Sequence, residues 1–140
     1  MKNVLLWIWQ LPQNLIGFFM TRYPGATKVF NCNDGEQVKV YFTSNVFNCG
    51  VSLGNYIILD YKIYYNKYCV TTVNHEHGHQ KQSRYLGWFY LIVVGISSAI
   101  FNNLWDRLFH KNWTSKERNT WYYNRFPEKW ADRLGGVNRC

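Results

Sequence analysis

The stretch His75-Glu76-His77-Gly78-His79 decides how this chain is read. It satisfies the pattern H-E-x-x-H. On a helix, residues four apart share a face, so His75 and His79 project their imidazoles side by side. Two such nitrogens can grip one zinc ion at about 2.0–2.1 Å. Glu76 is placed to reach a water on that ion rather than the ion itself, which makes it the candidate general base. His77 is not a ligand in this reading and is expected to be exposed or structural. Gly78 lets another backbone approach the helix closely, and a strand is the expected neighbour.

Working outward, the helix that carries the motif is predicted to start at Thr71 or Thr72 and to end at Gly87. Upstream, residues 27–31 and 37–43 read as strands around the hairpin turn Asn33-Asp34-Gly35. Val38, Val40 and Phe42 alternate with polar neighbours, as a half-buried strand requires. Residues 55–59 form a further strand, and Tyr61–Tyr65 pairs nearby or loops. Residues 3–21 read as a helix kinked at Pro12, followed by a turn at Tyr23-Pro24-Gly25. Downstream, residues 88–94 form a short apolar helix. Ile100, Phe101, Leu104, Trp105 and Leu108 then recur at helical spacing. Ser115 caps another helix to about Asn124. Pro127 starts the last one, which Gly135-Gly136 ends. Helix, short strands, then helices make the class α+β, with a short antiparallel sheet packed on the metal-binding helix. Residues 1–22 form an apolar arm and 23–140 a single domain.

A catalytic zinc site needs a third protein ligand. A further His six residues after His79 is excluded, because Tyr85 stands there, and the glycine expected three residues after His79 is Gln82. Asp106, His110, Glu117, Glu128 and Asp132 remain. Glu128 is the best of these, because Glu128-Lys129-Trp130-Ala131-Asp132 puts two carboxylates on one helical face. One can bind the ion while the other accepts the ring N–H of a ligand histidine and orients it.

HExxH with a downstream ExxxD resembles the gluzincin group of zinc metallopeptidases. The segment Glu128 to Gly136 is similar to the E-x-x-A-D stretch, with following glycines, of the neprilysin-like branch. The resemblance rests on two short blocks, and this chain is far shorter than typical members. It implies a small zincin-like domain with His75, His79 and Glu128 as zinc ligands and Glu76 as base. Asp132 becomes the partner of a ligand histidine. It also implies an edge strand that pairs with an extended peptide or protein substrate, and Asn55, Tyr56 and Ile57 lie in the right place for it. The group that stabilises the oxyanion is not marked by any motif. Tyr122 and Tyr123 are the leading candidates, and His110 and Arg133 are chemically able.

The chain has 140 residues, with 16 Lys and Arg against 8 Asp and Glu, for a formal charge of +8. Aromatic residues make up 19%. This composition excludes disorder, collagen and coiled coil. The aromatic residues read mainly as core, the cluster Trp113, Trp121, Tyr122, Tyr123 and Trp130 included. No nucleic-acid motif with defined spacing is present, so no specific nucleic-acid partner is expected. Cys32, Cys49, Cys69 and Cys140 contain no C-x-x-C pair and read as free buried thiols, with disulfides as the alternative. The N-terminal segment imitates a signal peptide but is interrupted by Pro12-Gln13-Asn14 and lacks a cleavage site. It and the stretch Leu86–Phe101 read as buried helices. The other reading puts the N-terminal segment on an anionic membrane surface, with Trp7, Trp9, Phe18 and Phe19 at the interface and Lys2, Arg22 and Lys28 beside them. Localisation is accordingly cytoplasmic or peripheral to a membrane. Besides the metallopeptidase, two other functions fit the sequence. One is a basic binding protein of a membrane surface or nucleic acid, with zinc structural or absent. The other is an inactive zincin-fold interaction module.

Overall fold

A computed structural model describes residues 2–22, 25–44 and 50–139. The chain opens with helices α1 (Lys2–Trp9) and α2 (Leu11–Met20), separated at Gln10 because Pro12 sits in the first turn of the second. Strands β1 (Ala26–Asn31) and β2 (Gln37–Thr43) form the antiparallel hairpin that Asn33-Asp34-Gly35 predicts. The tip is tied by the Gly35 N–H to the Cys32 carbonyl, at 2.9 Å, with Gly35 at φ 84°. Strands β3 (Gly50–Leu53) and β4 (Tyr56–Asp60) complete a four-stranded sheet of order β1-β2-β4-β3.

Two expectations about the sheet change. It is mixed rather than antiparallel, because β2 and β4 run parallel. Asn55, Tyr56 and Ile57 do not form an edge strand either. Asn55 precedes β4, and β4 lies between β2 and β3. The physical reason is visible in its composition. Ile57, Ile58 and Leu59 are apolar in unbroken succession and all fully buried. That is the pattern of a strand covered on both faces, not of one that alternates at an edge. The outer strand beside the helix that carries the histidines is β3.

After β4 comes a single turn, α3 (Tyr61–Tyr64), capped by the Asp60 carboxylate on the Lys62 N–H at 2.8 Å. Helix α4 (Cys69–Leu86) carries the histidines and starts earlier than predicted. It ends at Gly87, which takes φ 55° against the ring of Trp9. After a 3-10 turn at Gly87–Phe89, residues Leu91–Leu104 wind into a continuous π-type helix that runs into α5 (Trp105–Phe109). The two segments expected at 88–94 and from Ser98 onward are therefore one rod. Helix α6 (Ser115–Tyr123) has a capping box of Thr114 and Glu117, and α7 (Glu128–Gly135) ends at left-handed Gly136.

The main core lies between the sheet and α4. Val38, Val40 and Phe42 meet Ile57, Leu59, Cys69 and Val73, as the alternation in β2 requires. Helix α7 lies against α4 so closely that the Ala131 carbonyl occupies the space a side chain at 78 would need, and the Asn74 carbonyl the space of one at 135. The close neighbour of Gly78 is thus a helix, not a strand. Cys32 and Cys69 are free and buried, while Cys49 and Cys140 lie outside the described residues, as do Tyr23 and Pro24 of the expected turn.

The aromatic and apolar excess is largely outside the core. Among the described aromatic residues only Phe42 and Tyr90 are buried. The cluster around Trp113 and Trp121 is half-buried or exposed. Both apolar segments expected to be buried instead face outward over much of their length.

Candidate metal centre

Helix α4 presents His75 and His79 on one face, and α7 brings Glu128 across to them. Glu128 Oε2 lies 3.1 Å from Nε2 of His75 and 3.1 Å from Nε2 of His79. Four ligands at about 2.0–2.1 Å around a tetrahedral ion sit roughly 3.3 Å apart. Both nitrogen-to-carboxylate distances are therefore close to the spacing such an ion imposes, and the three donor atoms all lie within 4.8 Å of one another. All three residues are buried.

The other ring nitrogens are fixed by acceptors. His75 Nδ1 meets Asp132 Oδ1 at 2.7 Å, and His79 Nδ1 meets Gln82 Oε1 at 2.7 Å. The Gln82 amide is itself oriented, because its Nε2 donates to the Pro127 carbonyl at 2.9 Å. Oxygen acceptors on both Nδ1 atoms hold the hydrogens there in the neutral rings. The Nε2 lone pairs are left pointing at one place, as a metal requires.

Charge fits as well. Burial works against a charged His75, but the hydrogen bonds that the charged ring donates to Asp132 and Glu128, aided by Glu76, outweigh it and lift the imidazole to about 9. Burial also raises the Glu128 carboxyl, and the two histidines more than reverse this and hold it well below the usual range. The carboxylates thus favour positive charge at the point between the rings. A divalent cation supplies that charge without a proton. The donor set of two imidazoles and a carboxylate suits zinc.

Glu76 is buried, its carboxylate occupying the space that a side chain at position 50 would fill. Burial raises its carboxyl above the ordinary range, while His79 and His75 draw it partly back. A cleft of about 400 Å³ opens here, lined by β3, by His75, Glu76 and His79, and by the inner face of helix 91–104. Tyr122 and Tyr123 line it too. Ser98 Oγ donates to Glu128 Oε1 at 2.6 Å, so the Tyr122 hydroxyl, 3.1 Å away, donates to Ser98. Tyr123 packs edge-on to the His75 ring and carries the Arg139 guanidinium 3.4 Å over its own ring.

The structure therefore gathers His75, His79, Glu128, Glu76, Tyr122 and Tyr123 around one cleft, with Asp132 behind His75. It places the rival ligands elsewhere. Asp106 pairs with Arg118 and with His110, which stacks on Trp113, and Glu117 caps α6. Arg133 is exposed. His77 is fully buried, bonded to Asp34 at 2.9 Å and Gln80 at 3.2 Å, so it anchors the hairpin to α4. Asp132 pairs with Arg139, not with Lys129 or Arg125. Sequence reading missed Gln82, Ser98, Arg139 and β3. Only Gln82 carried a signal, since it sits three residues after His79, where its amide can turn back to the ring. Comparison with known proteins finds no matching family model, no matching curated protein and no matching solved structure.

Proposed function

We propose that the chain is a small zinc-dependent metallopeptidase that hydrolyses peptide bonds. One observation carries the reading: both histidine Nε2 atoms converge on a single Glu128 oxygen, with the general-base candidate Glu76 in the same buried cleft. His75, His79 and Glu128 would hold the ion, which supplies a Lewis acid and a water of lowered pKa.

The residues of the chain divide the remaining work. Asp132 and Gln82 keep the two imidazoles turned toward the ion. Ser98 and Tyr122 form a relay of hydroxyls that holds Glu128, and this commits the Tyr122 proton. Tyr123 is then the phenol free of that relay, and we assign it to the oxyanion that develops on the scissile carbonyl. Glu76 accepts a proton from the attacking water and passes it to the leaving amine. Its burial suits this task, because a carboxylate of raised pKa holds a proton longer near neutral pH. Strand β3 is the outer strand of the sheet and lines the cleft, so it is the strand an extended substrate can pair with.

Metal analysis and one substitution test this reading. Purified protein should hold about one zinc per chain, lost in His79→Ala and in Glu128→Ala. Glu76→Gln should keep the zinc and the fold and abolish cleavage of a peptide library. Zinc that survives Glu128→Ala would sink the ligand assignment, and cleavage that survives Glu76→Gln would sink the base.

A further inference from the structure

Two long uncharged stretches of the chain, Asn3–Thr21 and Tyr85–Trp105, meet on one side of the fold. The Trp88 indole donates to the Ile8 carbonyl at 2.9 Å, the Trp9 indole to the Arg84 carbonyl at 3.0 Å, and Gln13 to the Gly87 carbonyl at 2.8 Å. Leu5, Ile8, Trp9, Trp88 and Phe89 line a shallow apolar groove between α1 and the turn after α4. The apolar surface is thus continuous from α1 into helix 91–104.

That helix has two unlike faces. Val94 and Asn102 point inward, 2% and 0% exposed. Ile92, Ile96, Ile100 and Phe101 point outward, 45–61% exposed. Three bonds pin the inner face to the cleft: Tyr90 to the Ser52 carbonyl of β3 at 3.0 Å, Ser98 to Glu128, and Asn102 to the Phe126 carbonyl at 3.2 Å. One helix therefore serves as cleft wall and as exposed apolar surface.

An uncharged apolar surface of this extent needs an occupant. A second copy of the chain is disfavoured by charge, since each copy carries +8. An anionic lipid leaflet is favoured by the same charge. Arg22 follows α2, and Arg107 and Lys111 stand at the end of the rod, all exposed at the margins of the apolar face. The Trp9 and Trp88 indoles have their N–H groups satisfied by backbone carbonyls, so their rings can meet an apolar phase without an unpaired donor. No single helix among the described residues is long and apolar enough to cross a membrane, and the one bent pair that passes by length and composition, Cys69–Phe89 with Leu91–Phe109, has the buried histidine helix as its first half. The surface fits a protein that lies in one leaflet.

Resting on the peptidase reading above, we propose that α1, α2 and helix 91–109 sit in an anionic leaflet and that the cleft takes peptide segments lying at the membrane surface, the juxtamembrane stretches of membrane-anchored proteins. The leaflet brings enzyme and anchored substrate into one thin layer. The cleft lies directly behind the wall that faces it.

The test uses the full, zinc-loaded chain with vesicles of equal parts phosphatidylcholine and phosphatidylglycerol. It also uses one cleavable peptide made with and without an N-terminal myristoyl group. The protein should float with the vesicles and cleave the anchored peptide about tenfold faster or more than the free one. The double substitution Ile100→Glu/Phe101→Glu should cut vesicle binding by more than about tenfold, since it replaces two exposed apolar side chains with charges that the anionic leaflet repels. It should erase the preference for the anchored peptide and leave zinc content and cleavage of the free peptide unchanged. The milder Ile100→Gln/Phe101→Gln pair serves if the first does not fold. Protein that stays in solution with vesicles present overturns the proposal, as does a dimer that the substitutions dissociate. Flotation with equal cleavage of both peptides overturns the substrate class alone. Flotation with zinc bound and neither peptide cleaved overturns the peptidase reading, and the substrate class with it, but leaves the lipid-facing surface standing.

Discussion

Asp132 Oδ1 lies 2.7 Å from Nδ1 of His75, the ring nitrogen that does not face Glu128, and the Arg139 guanidinium grips the same carboxylate through Nε at 2.7 Å and through its terminal nitrogen at 3.0 Å. The imidazole is thereby held from behind by a carboxylate that is itself held. Asp132→Ala should leave all three proposed ligands in place and weaken zinc affinity by about 10–100-fold, the usual cost of losing such a partner. Competition titration against a zinc chelator measures it. Arg139→Ala should produce a smaller loss in the same direction.

Gly78 and Gly135 are where α4 and α7 touch backbone to backbone. Gly78→Ala has to push the Ala131 carbonyl away, and Glu128 and Asp132 with it. A destabilisation of about 1–3 kcal/mol is expected from overpacking alone, read as a lower urea midpoint. Zinc affinity should fall alongside. A control at Gly35, whose missing side chain faces open space, should affect stability through its φ of 84° alone and leave zinc binding intact.

Asp34 ties the hairpin to α4 through Lys81 and His77. Burial by itself raises its carboxyl. Hydrogen bonds from Lys81, the Glu36 backbone N–H and His77 outweigh that and hold it well below the usual range. A carboxyl depressed in the folded state contributes stability that is complete above its unfolded value of about 3.9 and is lost as pH falls toward the folded value. Unfolding midpoints should therefore drop as pH falls through about 4 and below. Asp34→Asn should lower stability at pH 7 and flatten this dependence. An unchanged acid limb would remove Asp34 from its cause.

The Cys32 thiol is pushed up to about 11, first by burial and then by Asp34. Since the thiolate is the reactive form, Cys32 should resist iodoacetamide at pH 8 in the folded protein and react readily in urea. Cys69, raised by burial, should behave alike. Mass mapping of labelled peptides distinguishes these two thiols from the others.

The parts of this structure legible from sequence are those fixed by local spacing. His75 and His79 share a face because of helical pitch, and Asn33-Asp34-Gly35 turns the chain by itself. The pairing of Glu128 with them was legible because E-x-x-x-D is also a helical spacing. What failed was set by non-local contacts. Nothing in Asn55–Leu59 states that β2 will pair with it in parallel, and β3 is too short and begins with a glycine. Ser98 carries no signal in its spacing, yet its hydroxyl is the contact that ties the helix to Glu128. Arg139 lies beyond the last predicted helix, where spacing carries no information. The burial of Ile92, Ile100 and Phe101 was inferred from their apolarity, which is as high on a lipid-facing surface as in a core.

The helix that bears the histidines and the helix that bears Glu128 are separated by the whole of the apolar rod and α6. A growing chain thus displays two imidazoles long before it acquires the acid that completes the trio. The trio is complete only once α7 packs against Gly78, so on the proposed reading neither tight zinc binding nor hydrolysis can precede that contact.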